Sequence, residues 1–297
     1  MANTLRFSGH ESFQCRNLWL KKGYDFVKEK GKEGYANDLA VIDLGVGSNM
    51  VSSIRFWTKA FGIVDLEEEN PTWLANYLFG KEGRDLYLED IGTLWLLHYE
   101  LISKEEASIY SLVFNEFRKQ RIEFTKSHLQ SFLENKCIEL GESHSLNSID
   151  TDIGVFIKNY VTPDSTDGRK SIEDLYSSLL IDLDLVKKFN NPGLNDNEWY
   201  KIESNERERL PIEIFFYSIL DNYPENKSIS IHKLLNEKNS PGLVFALNPD
   251  ALVKKVKKLS EDFKGIVYKE DAGIRELQIN EEFSKENILD QYYGRSK

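Results

Sequence analysis

The chain reads as a mainly α protein with helix-turn-helix or winged-helix-like domains at both ends, a helical middle and small β-hairpin wings. Three observations predict this. The stretch from Asn37 to Val64 has the pattern of two helices joined by a tight glycine turn. The residues from Pro211 onward read as three helices followed by a hairpin, and between the two ends apolar residues recur at helical spacing, separated by polar linkers.

Taken in order, Ser8 to about Lys30 predicts one long helix, opened by a capping box between Ser8 and Glu11, with Phe13, Leu20, Tyr24 and Val27 on one face. Lys28 to Gly34, rich in Lys and Gly, reads as a loop leading into the helix-turn-helix. There Leu39, Val41, Ile42 and Leu44 form a first helix that stops at Gly45-Val46-Gly47, where glycine supplies backbone angles that other residues avoid. Ser48 is expected to cap the second helix. Met50, Val51, Ile54, Trp57 and Phe61 make its buried stripe, which leaves Asn49, Ser52, Ser53, Arg55 and Lys59 for the outer side. Small polar residues with a few cations suit the major groove of a duplex.

Helical hairpins of this pattern also occur in proteins that never touch nucleic acid. The acidic run Asp65–Glu69 sits where a wing would begin, and it would repel phosphate. Pro71 opens another helix through Trp73, Leu74, Leu78 and Phe79, and Leu88 to Leu101 is apolar enough that it must be largely buried. These segments make an N-terminal domain over residues 1–105.

Residues 106–208 read as an acidic helical middle, with helices in SIYSLVFNEF and KSHLQSFLENK and linkers at Gly141–Ser148 and Pro163–Lys170. Asn190-Asn191-Pro192-Gly193 is a turn cluster, and Arg207–Pro211 reads as a boundary. Residues 209–297 then form a winged-helix-like domain. Pro211 starts a helix that ends before Pro224, and Ser228–Glu237 predicts a short second one. Asn248-Pro249-Asp250 is a strong helix start, with Asn as cap, Pro in the first turn and Asp at the positive end of the dipole. The helix that follows keeps Leu252, Val256, Leu259 and Phe263 inside and leaves Lys254, Lys255, Lys257 and Lys258 outside. Two alternating runs around Glu270-Asp271-Ala272-Gly273 predict a hairpin flanked by Lys264 and Lys269.

The net charge of −11 argues against nucleic acid until its distribution is considered. Residues 1–64 carry +3, residues 65–210 carry −13 and residues 211–297 carry −1, so the acidity belongs to the middle and leaves room for local basic surfaces. The lysine run on the C-terminal helix is equally what a solvated helix face looks like, and such domains also serve as protein-docking modules. No stretch of about 18 apolar residues exists and the first residues lack the order of a signal peptide, so a cytoplasmic protein is expected.

Cys15 and Cys137 have no paired spacing, and neither a disulfide framework nor a cysteine zinc site is suggested. His10 and Arg16 near Cys15 do not share its helical face, so a structural thiol is favoured. His98 lies in an apolar helix and reads as a buried or capping histidine; no further ligands recur at metal spacing. Glu89-Asp90 is read as a complement to a helix dipole, and no phosphate-binding GxxxxGK[ST] loop is present. The expectation is no catalytic residue, no cofactor, no metal and no membrane attachment.

FSGHESF (7–13), LGVGSNMVSSIRFW (44–57), PTWLANYLF (71–79) and YLEDIGTLWLLHYEL (87–101) carry a resemblance. With EFTKSHLQ (123–130) and the closing region, they resemble an uncharacterised bacterial family encoded beside phosphoadenosine-phosphosulfate-reductase-like genes and DNA phosphorothioation or phage-defence loci. The resemblance implies an accessory protein of a DNA-modification or defence system, with a phosphoadenosine-phosphosulfate-reductase-like enzyme or other defence proteins as partners, and carries over no catalytic residue.

The sequence therefore predicts DNA binding. Ser48, Asn49, Ser52, Ser53, Arg55 and Lys59 present a groove face, Arg6 serves as an arm, and Lys254, Lys255, Lys257, Lys258, Lys264 and Lys269 hold phosphates. The rival expectations are an interaction scaffold that docks a sulfur-handling enzyme without binding DNA, a transcriptional regulator of its own locus, and, least favoured, a weak enzyme with a cryptic site, for example a nickase, to which no residue is assigned.

Overall fold

The computed structural model describes residues 4–36, 39–163, 178–190, 198–271 and 273–295. Over these the chain is mainly helical, with two small antiparallel sheets of three strands each, and it divides into two units, Met1–Ile202 and Glu203–Lys297.

In the first unit, helix α1 (Trp19–Lys30) buries Leu20, Tyr24 and Val27 and packs on α3 (Ser48–Ala60). The helix expected from Ser8 does not form before Trp19, and the Ser8–Glu11 capping box is absent. Ser8, Glu11 and Ser12 take φ of 71°, 48° and 64°, in the left-handed region that breaks a helix. Tertiary bonds hold the segment instead. Ser8 N–H donates to Asp152 Oδ2 at 2.8 Å, and Cys15 N–H to Asn159 Oδ1 at 3.1 Å. Lys28 and Lys30 belong to the last turn of α1, followed by a 3₁₀ turn at Lys32–Ala36.

The two-helix pattern around Gly45 is present, with corrections. Helix α2 (Ala40–Leu44) is a single turn that buries only Ala40 and Leu44, whereas Leu39, Val41 and Ile42 are exposed. Gly45 closes it with φ 65°, the left-handed conformation glycine favours. The N-cap of α3 is Gly47, and Ser48 is the first helical residue rather than the cap. Val51, Ile54, Trp57 and Phe61 are buried as the spacing predicts, and Met50 is half-buried.

Helix α4 (Trp73–Phe79) starts where Thr72 Oγ1 accepts from Ala75 N–H at 3.2 Å. Helix α5 (Ile91–Lys104) is buried at every residue from Gly92 to Ile102, as its apolar run demands. Asp90 is its N-cap, accepting from Gly92 and Thr93 N–H at 2.7 and 3.2 Å. After it in the chain come α6 (Ser108–Leu112), which packs on α5, a π turn (Val113–Phe117), α7 (Arg118–Gln120), α8 (Lys126–Leu140) and α9 (Leu146–Tyr160). Strands β1 (Glu123–Phe124), β2 (Lys187–Phe189) and β3 (Trp199–Lys201) form a sheet in the order β1-β3-β2. Most of the linker at Pro163–Lys170 and the turn at Asn190–Gly193 lie outside the described residues.

The second unit runs α10 (Ile212–Asn222), β4 (Ser228–Ser230), α11 (Ile231–Asn236), α12 (Pro241–Val244), α13 (Pro249–Asp262), β5 (Ile266–Asp271), β6 (Ile274–Ile279) and α14 (Lys285–Arg295). Its sheet order is β4-β6-β5. The helix expected from Ser228 begins only at Ile231, because Ser228–Ser230 pairs with β6 and puts Ile229 opposite Leu277. Asn248 caps α13 as predicted, its Oδ1 accepting from Ala251 N–H at 2.7 Å, and Leu252, Val256, Leu259 and Phe263 are buried. Burying each such side chain contributes roughly 1.5–3 kcal/mol. The hairpin forms with a tighter turn than expected: Glu270 and Asp271 pair with Arg275 and Ile274, and Gly273 takes φ 83°.

Candidate nucleic-acid interface

On α3, Ser48, Ser52, Arg55 and Lys59 are spaced by four, three and four residues and so lie along one stripe of the helix. Ser48, Asn49 and Ser52 are exposed. Ser53 does not join them. One residue further round the helix, it is fully buried, and its Oγ has no hydrogen-bond partner among the described residues.

Both cations of the stripe are engaged within the chain. Arg55 Nε and Nη2 donate to the two carboxylate oxygens of Glu69 at 2.8 and 2.6 Å, and Lys59 Nζ lies 2.7 Å from Glu69 Oε1. The Arg55 guanidinium also sits over the Tyr35 ring, 5.2 Å from its centroid. Glu69 closes the acidic run 65–69, which is an ordered loop. The Asp65 carboxylate accepts from the N–H groups of Glu67, Glu68 and Asn70 at 3.0, 2.8 and 2.8 Å. Burial acts to raise the Glu69 carboxyl's pKa, but hydrogen bonds from Arg55 and Lys59 outweigh it and hold the pKa below the usual value. Arg6 is tied down as well. Its N–H donates to Ser108 Oγ at 2.8 Å and its guanidinium pairs with Glu106.

The six C-terminal lysines separate by environment. Lys254 is 76% exposed and lies 3.2 Å from Glu206. Lys257 is exposed and its ammonium sits 5.3 Å from the Tyr268 ring centroid. Lys258 pairs with Asp262 one turn on, at 2.7 Å. Lys264 is exposed, and Lys269 is exposed and faces Glu276 across the hairpin. Lys255 departs from the expected outer face: its Nζ donates to the Leu210 carbonyl at 2.9 Å and is largely buried. Periodicity alone missed Tyr268 and Arg275. Tyr268 donates to Glu270 Oε2 at 2.8 Å and Arg275 Nε to Glu270 Oε1 at 2.8 Å, so both build the hairpin surface next to Lys257.

Cys15 is fully buried and burial pushes its thiol well above the ordinary value, as a structural cysteine should be. His98 is buried, with Nδ1 2.8 Å from Tyr160 Oη. Among the described residues, no group of three or more His, Cys, Asp or Glu side chains is gathered to hold a metal, and no helix is long and apolar enough to cross a membrane.

The model of a protein family of unknown function, DUF4007, matches residues 7–293. No curated protein matches the chain by sequence. Among solved structures, a magnesium ion-bound SspB crystal structure is similar at a TM-score of 0.84 and 28% identity, covering 98% of this chain and 89% of the other. A further SspB crystal structure is similar at a TM-score of 0.81 and 29% identity, over the same shares of the two chains.

Proposed function

We propose that this chain, which belongs to the DUF4007 family, is a non-catalytic DNA-binding accessory protein of a bacterial DNA-modification system of the phosphorothioation kind or of a related defence system. The system is read from the family resemblance in the sequence, and likeness to SspB across 98% of the chain supports a role shared with that protein. A phosphoadenosine-phosphosulfate-reductase-like enzyme or another protein of the locus is its proposed partner.

One observation carries the DNA reading. In the second unit, helix, strand, helices and hairpin follow one another with strands in the order β4-β6-β5; this order supports reading the unit as a winged helix with one extra short helix, α12. Its long helix α13 carries the exposed cations Lys254 and Lys257, the turn after it Lys264, and its hairpin Lys269. Exposed cations on a helix and on the wing beside it suit phosphate contacts on either side of a groove, and the exposed acids Glu270 and Asp271 of the same hairpin oppose them. Such contacts position the protein more than they read bases.

The test is fluorescence anisotropy of a labelled duplex with the purified protein at about 50 and about 200 mM salt. Binding that falls sharply between the two supports phosphate contacts. The scaffold reading is favoured by the engagement of Arg55 and Lys59 with Glu69, which leaves α3 without an unpaired cation on that stripe. It predicts no duplex binding at the lower salt and a stable complex with the sulfur-handling enzyme.

A further inference from the structure

We infer that Arg55 and Lys59 form a site for a phosphodiester of the nucleic-acid backbone, and that Glu69 of the same chain occupies it as an internal phosphate mimic. The inference rests on the DNA-binding reading above.

A guanidinium fork presents two parallel N–H donors, and carboxylate and phosphate oxygens accept them in the same geometry. Glu69 takes both donors of Arg55 with its two oxygens and shares one oxygen with Lys59. The cations are reachable: the Arg55 and Lys59 side chains are 39% and 27% exposed, whereas that of Glu69 is 5% exposed. The same stripe continues through the exposed Ser52 and Ser48, whose hydroxyls suit phosphate oxygens. With Glu69 seated, both cations of the stripe are engaged and one of their two charges is cancelled, while its polar half stays open.

The acid is delivered by a loop that is closed on itself. Besides the three bonds to the Asp65 carboxylate, Asp65 N–H donates to the Asn70 carbonyl at 3.0 Å, and Val64 bridges Pro71 at the loop's base. Displacing the Glu69 side chain therefore breaks its bonds to α3 without breaking the bonds that shape the loop. Lys32, paired with Glu68, adds a second tether on the same loop.

The experiment compares duplex binding by the wild-type chain, Glu69→Gln, and Glu69→Gln combined with Arg55→Gln and Lys59→Gln, each checked for native fold by circular dichroism. Glu69→Gln is expected to bind a labelled duplex at least about fivefold tighter at about 50 mM salt, with a log–log salt slope steeper by about one to two. Adding the Arg55 and Lys59 substitutions is expected to erase the gain. Equal affinity of folded Glu69→Gln and wild type overturns the masked site while leaving the DNA reading intact; no binding by any variant overturns both. Lys59→Gln alone, which keeps the Arg55–Glu69 pair, is expected to change wild-type affinity less than about twofold, and a fivefold fall overturns the inference even if Glu69→Gln does not fold. Inorganic phosphate at millimolar concentration distinguishes the other source of the same chemistry. If it raises the melting temperature of Glu69→Gln and duplex affinity does not increase, the site is one for free phosphate and the backbone assignment fails.

Discussion

The Lys255 amine donates a hydrogen bond to the main-chain oxygen of Leu210 at 2.9 Å, which ties α13 to the residue just before the Pro211 cap of α10. Burial, and then the charge of neighbouring Lys254, lowers the Lys255 pKa to about 8. A residue that helical spacing assigns to the solvated face is thereby an internal brace, and the lysine run divides into groups with different environments.

That division predicts different mutant behaviour. Reversing Lys254, Lys257 and Lys264 to Glu is expected to weaken duplex binding at about 50 mM salt by tenfold or more and to flatten the salt slope by about two to three. Lys255→Met is expected to leave affinity within about twofold. Anisotropy titrations on the two proteins check both outcomes, and equal losses would contradict the division.

Stability should vary with pH through Lys255. Its pKa is depressed in the folded chain to about 8, against about 10.4 for an unperturbed lysine. Below pH 8 the residue is charged in both states and the cost of burying that charge is fully present. Between about 8 and 10.4 the unfolded chain binds more protons, so this group makes stability rise with pH, by roughly 2–3 kcal/mol across the window. The difference in urea-unfolding free energy between wild type and Lys255→Met, followed from pH 7.5 to 10, isolates the effect. A flat difference would show that the amine is not desolvated.

Ser52 and Ser53 are neighbours in sequence and opposites in space. Ser53→Ala is expected to change stability by less than about 1 kcal/mol, because its buried hydroxyl has no bond to lose among the described residues. Ser53→Asp would bury a charge and destabilise by several kcal/mol. Ser52→Asp is expected to fold normally and to weaken duplex binding, since it adds negative charge to the exposed stripe. Thermal melts and anisotropy on the three variants test this.

Both thiols should resist modification in the folded chain. Cys15 and Cys137 are 0% and 5% exposed, and burial raises the thiol pKa of each. Reaction with a disulfide reagent at pH 8 is expected to be at least about tenfold slower than for a free thiol. Both cysteines should become reactive on unfolding in urea. Rapid labelling of Cys15 in the native protein would contradict its structural role.

Features that depend on adjacent residues were legible in the sequence. Asn248-Pro249-Asp250 starts α13, Gly45 ends α2, and the apolar run near Leu94 becomes the buried α5. In each case the cause lies within a turn or two of the effect: a cap, a left-handed glycine, a repeat that matches the helix period. That the chain belongs to a family of unknown function was legible for a similar reason, because contiguous motifs such as FSGHESF and LGVGSNMVSSIRFW carry a resemblance without folding.

What went unread depends on partners far along the chain. Residues 8–12 have a helix-start pattern, yet Ser8 is bonded to an aspartate 144 positions on, and that bond suits a left-handed backbone. Ser228–Ser230 looks helical until β6, some fifty residues later, supplies a strand to pair with. The sequence by itself determined the helical composition, the punctuation of α13 and its hairpin, and which residues carry charge. Only the tertiary structure decided which of those charges face solvent: Glu69 was brought onto Arg55 and Lys59, and Leu210 onto Lys255. Periodicity reports the side of a helix on which a residue lies, but the free energy of a charge is set by the solvent and counter-charges around it, which the folded chain brings together.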